Sequence, residues 1–282
     1  MLNIRQSLKF SFFLVFAFLL ISIQKVNAAA LACNANETAQ TFSFSGTNTW
    51  PSGTTSKSFN VGTAPNAVTL TFTHTQAAGV TPITGDPQLR TQGNVANSLA
   101  ISSDGGEANG ALLATLSFTT NRSINKLSYS IFDHDRSVST NFIDRTISSV
   151  VTPSGTTFPS AITEQTSGNH TISVGTGTAT GLASYSCADT DNACNVYYEF
   201  NSSGITSSTT QFRAMHTGTS TQQGIAFNTY AWCLPKTTLT LRKVWVNAKV
   251  NDAVTVTATG LSSLSAVANT TSETDTGIAQ GV

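Results

Sequence analysis

Residues 68–75 read VTLTFTHT, and the order of their side chains decides the fold class. Val68, Leu70, Phe72 and His74 fall on one side of an extended chain and four threonines on the other, because successive side chains of a strand point to opposite faces. A helix, with its period of about 3.6, would scatter the same residues around its circumference. The two-residue alternation returns in TFSF (41–44), LLATLSF (112–118), KLSYSIF (126–132), TISSVVT (146–152), HTISV (170–174), NVYYEF (195–200), FRAMH (212–216) and GIAFNTYAW (224–232). Between these runs stand SGTT, TGDP, SSDGGEANG, PSGTT and NSSG, built from residues that accept turn geometry. No stretch of ten or more residues carries a capped helical repeat. Many short strands at this spacing predict an all-β chain whose body is an antiparallel β-sandwich, jelly-roll or immunoglobulin-like.

Outward from that body, residues 1–28 read as an export signal. Arg5 and Lys9 precede the apolar run FSFFLVFAFLLISI (10–23), and Val26-Asn27-Ala28 sets small residues where a signal peptidase reads. The run is shorter than the roughly 20 residues a membrane span needs. Cleavage before Ala29 is therefore expected, with no stable membrane span afterwards and a secreted or bacterial cell-surface location. At the other end Pro235, which cannot donate to a sheet ladder, closes a predicted sandwich domain over 29–235. The chain then restarts as TTLTLRKVWVNAKVNDAVTVTATG (237–260), two expected strands joined by the polar turn NAKVND. Residues 236–282 are fewer than the roughly 60 that a comfortable domain requires, so they are expected to form an incomplete second β-module.

Across 282 residues the chain carries 14 basic and 14 acidic side chains, 10 % charged in all. No basic stripe exists to neutralise phosphates, which excludes a nucleic-acid partner. With 39 % hydrophobic residues the chain is also too apolar to be a solvated, disordered one. Arg5, Lys9 and Lys25 all lie in the signal; without them 11 basic residues face 14 acidic ones, a net charge of −3. Four cysteines in an exported chain favour two disulfides over metal or catalytic thiols. Cys187 and Cys194 bracket the short polar loop ADTDNA and are expected to pair locally, which leaves Cys33 with Cys233 to tie the ends of the sandwich together.

The densest polar group is Asp133-His134-Asp135-Arg136, at the end of the strand KLSYSIF, with Asp144-Arg145 further on. Alternation turns Asp133 and Asp135 to the same side, and Asp144 offers a third oxygen, so the trio reads as a candidate metal site. Calcium, a hard cation that takes carboxylate oxygens from loops, is the cofactor such a site would hold. The competing reading is an ion pair of Asp133 or Asp135 with Arg136 or Arg145 at a strand end. Asp189, Asp191 and Asn192, inside the Cys187–Cys194 loop, form a candidate ligand-binding loop, although the same residues are good turn formers. Catalysis lacks its cues. No GxSxG elbow occurs, the histidines are scattered, and Glu164 and Glu199 are the plausible acids outside loops. His74 continues an apolar face and reads as a core histidine.

The stretch LTLRKVWVNAKVNDAVTVTATG (239–260), followed by ANTTSETDTG (268–277), resembles the start of the prealbumin-type, SpaA-like repeats of large bacterial surface proteins and adhesins. The preceding domain, with SIFDHDR (130–136) and WCLP (232–235), resembles the variable first domains that stand before such repeats. That resemblance implies surface display and an adhesive or structural role, and names no ligand. The expectation is a secreted or surface-displayed non-catalytic module whose partner is a host or surface glycan or protein. The alternatives are a calcium-assisted carbohydrate-binding domain and, further off, a secreted hydrolase.

Overall fold

The computed structural model describes residues 31–64, 66–136, 142–182, 186–216, 222–236, 238–244, 251, 253–256, 264–267 and 274–280; the predicted export signal lies outside them. Strands β1 (Glu37–Ser43), β2 (Ser56–Val61), β3 (Val68–Gln76), β4 (Gln88–Gln92), β5 (Val95–Ser103), β6 (Leu112–Phe132) and β7 (Phe142–Thr152) make the first half of the body. β8 (Gly155–Thr157), β9 (Ala161–Glu164), β10 (His170–Ser173), β11 (Thr178–Gly181), β12 (Val196–Phe200), β13 (Ile205–His216) and β14 (Gln223–Pro235) make the second. In β3 the alternation is realised as read: Val68, Leu70, Phe72 and His74 are buried and the threonines between them are not. His74 is a core histidine, and burial pulls its pKa down to about 4, so it is neutral.

All fourteen strands join in one antiparallel network with two layers, a β-sandwich. One layer runs β2-β3-β6-β13-β7, with β8 and β11 sharing the far edge of β7 and β10 outside β11. The other runs β9-β12-β6-β14, with β5 and β1 sharing the far edge of β14 and β4 outside β5. LLATLSF and KLSYSIF, separate runs in the sequence, are the two halves of the single strand β6, 21 residues long. The polar stretch between them stays in the strand because the halves pair in different layers. Ala114 to Thr120 pair with β3, and Leu127 to Phe132 with β14 and β12. Lys126, at φ +46, takes up the change of direction.

Between the layers lies an aromatic core. The rings of Phe42, Phe44, Phe59 and Phe72 lie 4.9–6.0 Å from one another, and Tyr129 stacks on Tyr198 at 5.6 Å. Each such ring taken from water contributes roughly 1.5–3 kcal/mol. The tyrosines also need partners for their hydroxyls. Tyr129 meets Thr210 Oγ1 at 2.9 Å and Tyr198 meets Thr146 Oγ1 at 2.7 Å, each bond crossing from one layer to the other. The inward-facing threonines of β7 and β13 thus serve the core, not a polar outer face.

Both expected disulfides are present, Cys33–Cys233 and Cys187–Cys194. Beyond Pro235, β15 (Thr238–Val244) pairs with β18 (Thr274–Gln280), and β16 (Ala253–Val256) with β17 (Leu264–Val267). The described strands on either side of NAKVND thus each pair with a later strand. Among the described residues no helix is long and apolar enough to cross a membrane.

The Cys33–Cys233 bridge closes a loop of 200 residues. Its removal in a Cys33→Ser/Cys233→Ser variant is expected to lower unfolding free energy by about 3–5 kcal/mol in the chain-entropy account. Urea unfolding of the two proteins measures it, and a loss under about 1 kcal/mol contradicts the expectation.

Candidate functional site

A polar cleft of about 350 Å3 opens at one end of the sandwich. It forms where β6 runs out, β4, β5 and β14 meet, and the Cys187–Cys194 loop folds over. One wall carries Asp86, Arg90 and Ser102. Asp86 is buried and accepts hydrogen bonds from Arg90 Nη2, from the Ser102 hydroxyl and, at 3.1 Å, from Gln88 Nε2. These bonds hold the guanidinium at the cleft surface. Asp133, Asp135 and Asp189 form an acidic wall of the same cleft, with the Asp189 charge acting on the Arg90 guanidinium, and Phe142, the first residue of β7, adds an aromatic ring to the lining.

The Asp133-His134-Asp135 segment is pinned from several sides. His134 turns into the core, fully buried, with Nε2 3.1 Å from Thr146 Oγ1. Burial, and then the His170 ring, hold its pKa well below the usual histidine range. Its amide donates to the Cys194 carbonyl at 3.2 Å, and its carbonyl meets His170 Nε2 at 2.6 Å. The other nitrogen of His170, Nδ1, lies 3.0 Å from Glu164 Oε2. Asp133 and Asp135, on either side of the inward-facing His134, both line the cleft. Asp135 Oδ2 accepts the Cys187 amide at 2.7 Å, which ties the disulfide loop to the segment. Gly181 is required beside it, since a Cβ there would lie 2.4 Å from the Asp135 carbonyl oxygen.

Asp144 joins Asp133 and Asp135 electrostatically but does not line the cleft. It is fully buried behind Asp135, whose amide donates to Asp144 Oδ2 at 3.1 Å. Of the loop residues, Asp189 reaches the cleft wall, whereas Asp191 accepts the Ala193 amide at 2.9 Å and the Asn192 carbonyl accepts the Asn195 amide at 3.1 Å. Those two shape the turn and stand outside the cleft lining. The ion pairs among the described residues are Arg90–Asp86 and His170–Glu164, so neither Arg136 nor Arg145 neutralises the acidic wall. Sequence reading missed Asp86, Arg90, Gln92, Ser102 and Phe142; Asp86 sits in TGDP, legible only as a turn, and the others carry no motif.

Crowding shows in the electrostatics. Burial pushes the Asp133 carboxyl up to about 8, reinforced by the charges of Asp135 and Asp189. Burial also raises Asp135, to about 6, while the Cys187 amide and the Ser186 hydroxyl oppose the rise. Asp144 is pushed up as well, by burial and then by Asp135. Near neutral pH the acidic wall therefore offers both a protonated carboxyl, which donates, and carboxylate oxygens, which accept. Glu164 behaves oppositely: burial pushes it up, but the amides of Gly168 and His170 and the His170 ring outweigh that and hold it below the usual range.

Asp133 ionises near 3.8 in the unfolded chain and near 8 in the folded one, so between those values the folded state binds more protons. Stability from this group is accordingly highest at low pH and is lost as pH rises from about 4 to about 8. In chelator-containing buffer the melting temperature is expected to fall across this range, and less steeply in Asp133→Asn. Calorimetric scans from pH 5 to pH 8.5 check it; parallel slopes for the two proteins would remove the assignment.

Comparison with known proteins adds little. No known protein family matches the chain, and no curated protein does. Among solved structures, the enzymatically active domain of bacteriophage CBA120 tailspike protein 4 aligns with 58 % of this chain and 19 % of its own, at 12 % identity and a TM-score of 0.23. A likeness that slight carries no argument about fold or activity.

Proposed function

We propose that this chain is an exported, surface-displayed or secreted, non-catalytic adhesion module that presents its cleft to a glycan of a host or cell surface. The observation that carries this reading is the mixed donor and acceptor lining of the cleft. Sugar hydroxyls both donate and accept, and here the guanidinium of Arg90 and the oxygens of Asp133, Asp135 and Asp189 line one cleft, with Phe142 as a ring against which a sugar face can lie. A few placed polar groups in a preformed concave site are what small-ligand recognition requires. The two disulfides support an oxidising, extracellular setting. Residues 236–282, with their two strand pairs, are read as a prealbumin-like module. In the calcium-assisted form of this reading, a cation at the acidic wall takes part in holding the glycan.

One observation favours a second reading, a hydrolase. Asp133 and Asp135 line one cleft, and burial raises both carboxyls above their ordinary range, the condition a glycosidase's general acid requires.

A glycan array probed with the exported chain, with calcium and with chelator, tests the proposal. Binding to a restricted set of glycans is expected, weakened at least tenfold in Phe142→Ala, with no new reducing ends released from the bound sugars. An array blank under both conditions overturns the glycan reading, and release of sugar that disappears in Asp133→Asn replaces it with the hydrolase.

A further inference from the structure

The arginines that leave the acidic wall unneutralised stand together on a different surface. In β7 and β13 the inward residues Asp144, Thr146, Phe212 and Ala214 are buried, so Arg145 and Arg213 take the outward face of their layer. The antiparallel register sets these two directly opposite each other. Arg136 bridges to Ile143, the neighbouring outward residue of β7, which makes it the diagonal neighbour of Arg145. Directly opposed side chains start about 4.5–5.5 Å apart at Cβ and diagonal ones within about 8 Å, so three half-buried guanidinium side chains share one patch.

Like charges placed opposite each other in a sheet are destabilising, and nothing nearby cancels these. Among the described residues no carboxylate lies within ion-pair distance of Arg136, Arg145 or Arg213. The stretches that lead into β7 and out of β13, SVSTN (137–141) and TGTST (217–221), contain no acid. Arg213 is nonetheless oriented. Its Nε and Nη2 donate to Gln211 Oε1 at 3.1 and 3.0 Å and its Nη1 to the Gly110 carbonyl at 3.0 Å, which fixes the plane of the fork and leaves further N–H donors on it. Arg145 Nη1 meets the Met215 sulfur, a weak acceptor, at 3.7 Å. Ile143, Ile147 and Met215, outward on the same two strands, set apolar surface beside the cations, where attraction to an anion is stronger than in open water.

Away from the arginines the same outward face continues as rows of hydroxyls. Ser149, Thr209, Ser117 and Thr73 stand opposite one another across β7, β13, β6 and β3, and Ser207, Thr119, Thr71 and Ser58 form the next row, across β13, β6, β3 and β2. None of these side chains is buried. We propose that this outer face binds an acidic polysaccharide, with Arg136, Arg145 and Arg213 holding its sulfate or carboxylate groups and the hydroxyl rows bonding the sugars beside them. The guanidinium fork matches a pair of oxygens on either group, and a hydroxyl that both donates and accepts suits a sugar hydroxyl. Three cations grouped at one end fit oxyanions carried on a largely hydroxylated chain. A polyphosphate fits poorly, because the acidic excess of the chain outside its signal repels it along its length. The face uses none of the cleft residues, so this site goes beyond the glycan reading of the cleft and is tested apart from it.

Calorimetric titration of the exported chain with dextran sulfate, polygalacturonate, unmodified dextran and duplex DNA tests this, in chelator so that no cation bridges the carboxylates. Binding to one or both acidic polysaccharides is expected and none to dextran; dextran sulfate alone assigns the site to sulfate esters, polygalacturonate alone to carboxylates. Arg145→Gln and Arg213→Gln are each expected to weaken binding by about tenfold or more, and Arg145→Lys, which keeps the charge and loses the fork, by a smaller factor. Lys57→Gln makes the same charge change at the far edge of the layer, on its other face, and is expected to leave affinity within about twofold. Arg145→Gln is also expected to raise the melting temperature of the free chain by about 1–3 °C, because it relieves the opposed charges. A parent chain that binds neither acidic polysaccharide overturns the site, as does unchanged affinity in both glutamine variants, an equal loss in Lys57→Gln, or duplex DNA bound as tightly. Retained polymer binding beside a blank glycan array removes the cleft reading and leaves this site; array binding without polymer binding does the reverse.

Discussion

The hydrogen-bonding demand of one strand organises the molecule. Across the 21 residues of β6 every amide and carbonyl shielded from water needs a partner, and the partners come from different layers at its two ends. Its first half is edged by β3 and β13, its second by β14 and β12. The layers are consequently registered against each other by covalent continuity as well as by packing. The aromatic core and the tyrosine–threonine bonds that cross it depend on that registration. So does the position of the cleft. Pairing with β14 reaches Phe132, opposite Ala226, and the next residue, Asp133, leaves the strand at φ +57. The acidic wall stands where β6 runs out of partners.

Placing three aspartates there opposes stability, because burial and mutual repulsion both disfavour their charged forms. The structure offsets this around them. His134 is anchored in the core through Thr146, the backbone on either side is held by Cys194, His170 and Asp144, and the Cys187–Cys194 bridge keeps the covering loop short. Local rules are broken at this surface and compensated by rigid support beneath it. The Asp86–Arg90 pair contributes in a different way. Asp86 accepts three hydrogen bonds from side chains, so the guanidinium is oriented before any ligand arrives.

Particular residues show how far the sequence could be read. The buried positions of β3 and both disulfides follow from spacing alone. Asp144 does not. As a third oxygen near the Asp-His-Asp segment it read as a ligand, yet β7 is flanked by β13 and β11 and its Asp144 face is turned inward, so the carboxyl lies behind Asp135. Asp191 and Asn192 looked equivalent to Asp189, and their separation is a matter of which way the six-residue loop ADTDNA turns. Gln92 and Arg90 had no signal at all, since nothing local distinguishes a glutamine in QLRTQ that faces solvent from one that lines a cleft.

The sequence by itself determined the all-β class, the antiparallel sandwich and the disulfide pairing. Each rests on something local: a side-chain period of two, turn residues between short runs, and the spacing of four cysteines in a chain with too few alternatives. Only the tertiary structure decided that two runs are one strand, that the inward threonines serve tyrosine hydroxyls, and that Gln92, Arg90 and Asp189 share a cleft with Asp133. Those outcomes depend on the order of strands in the layers and on contacts between residues about a hundred positions apart, such as Gly93 with Asn195. Alternation tells which face a side chain takes; it carries no information about what stands opposite that face.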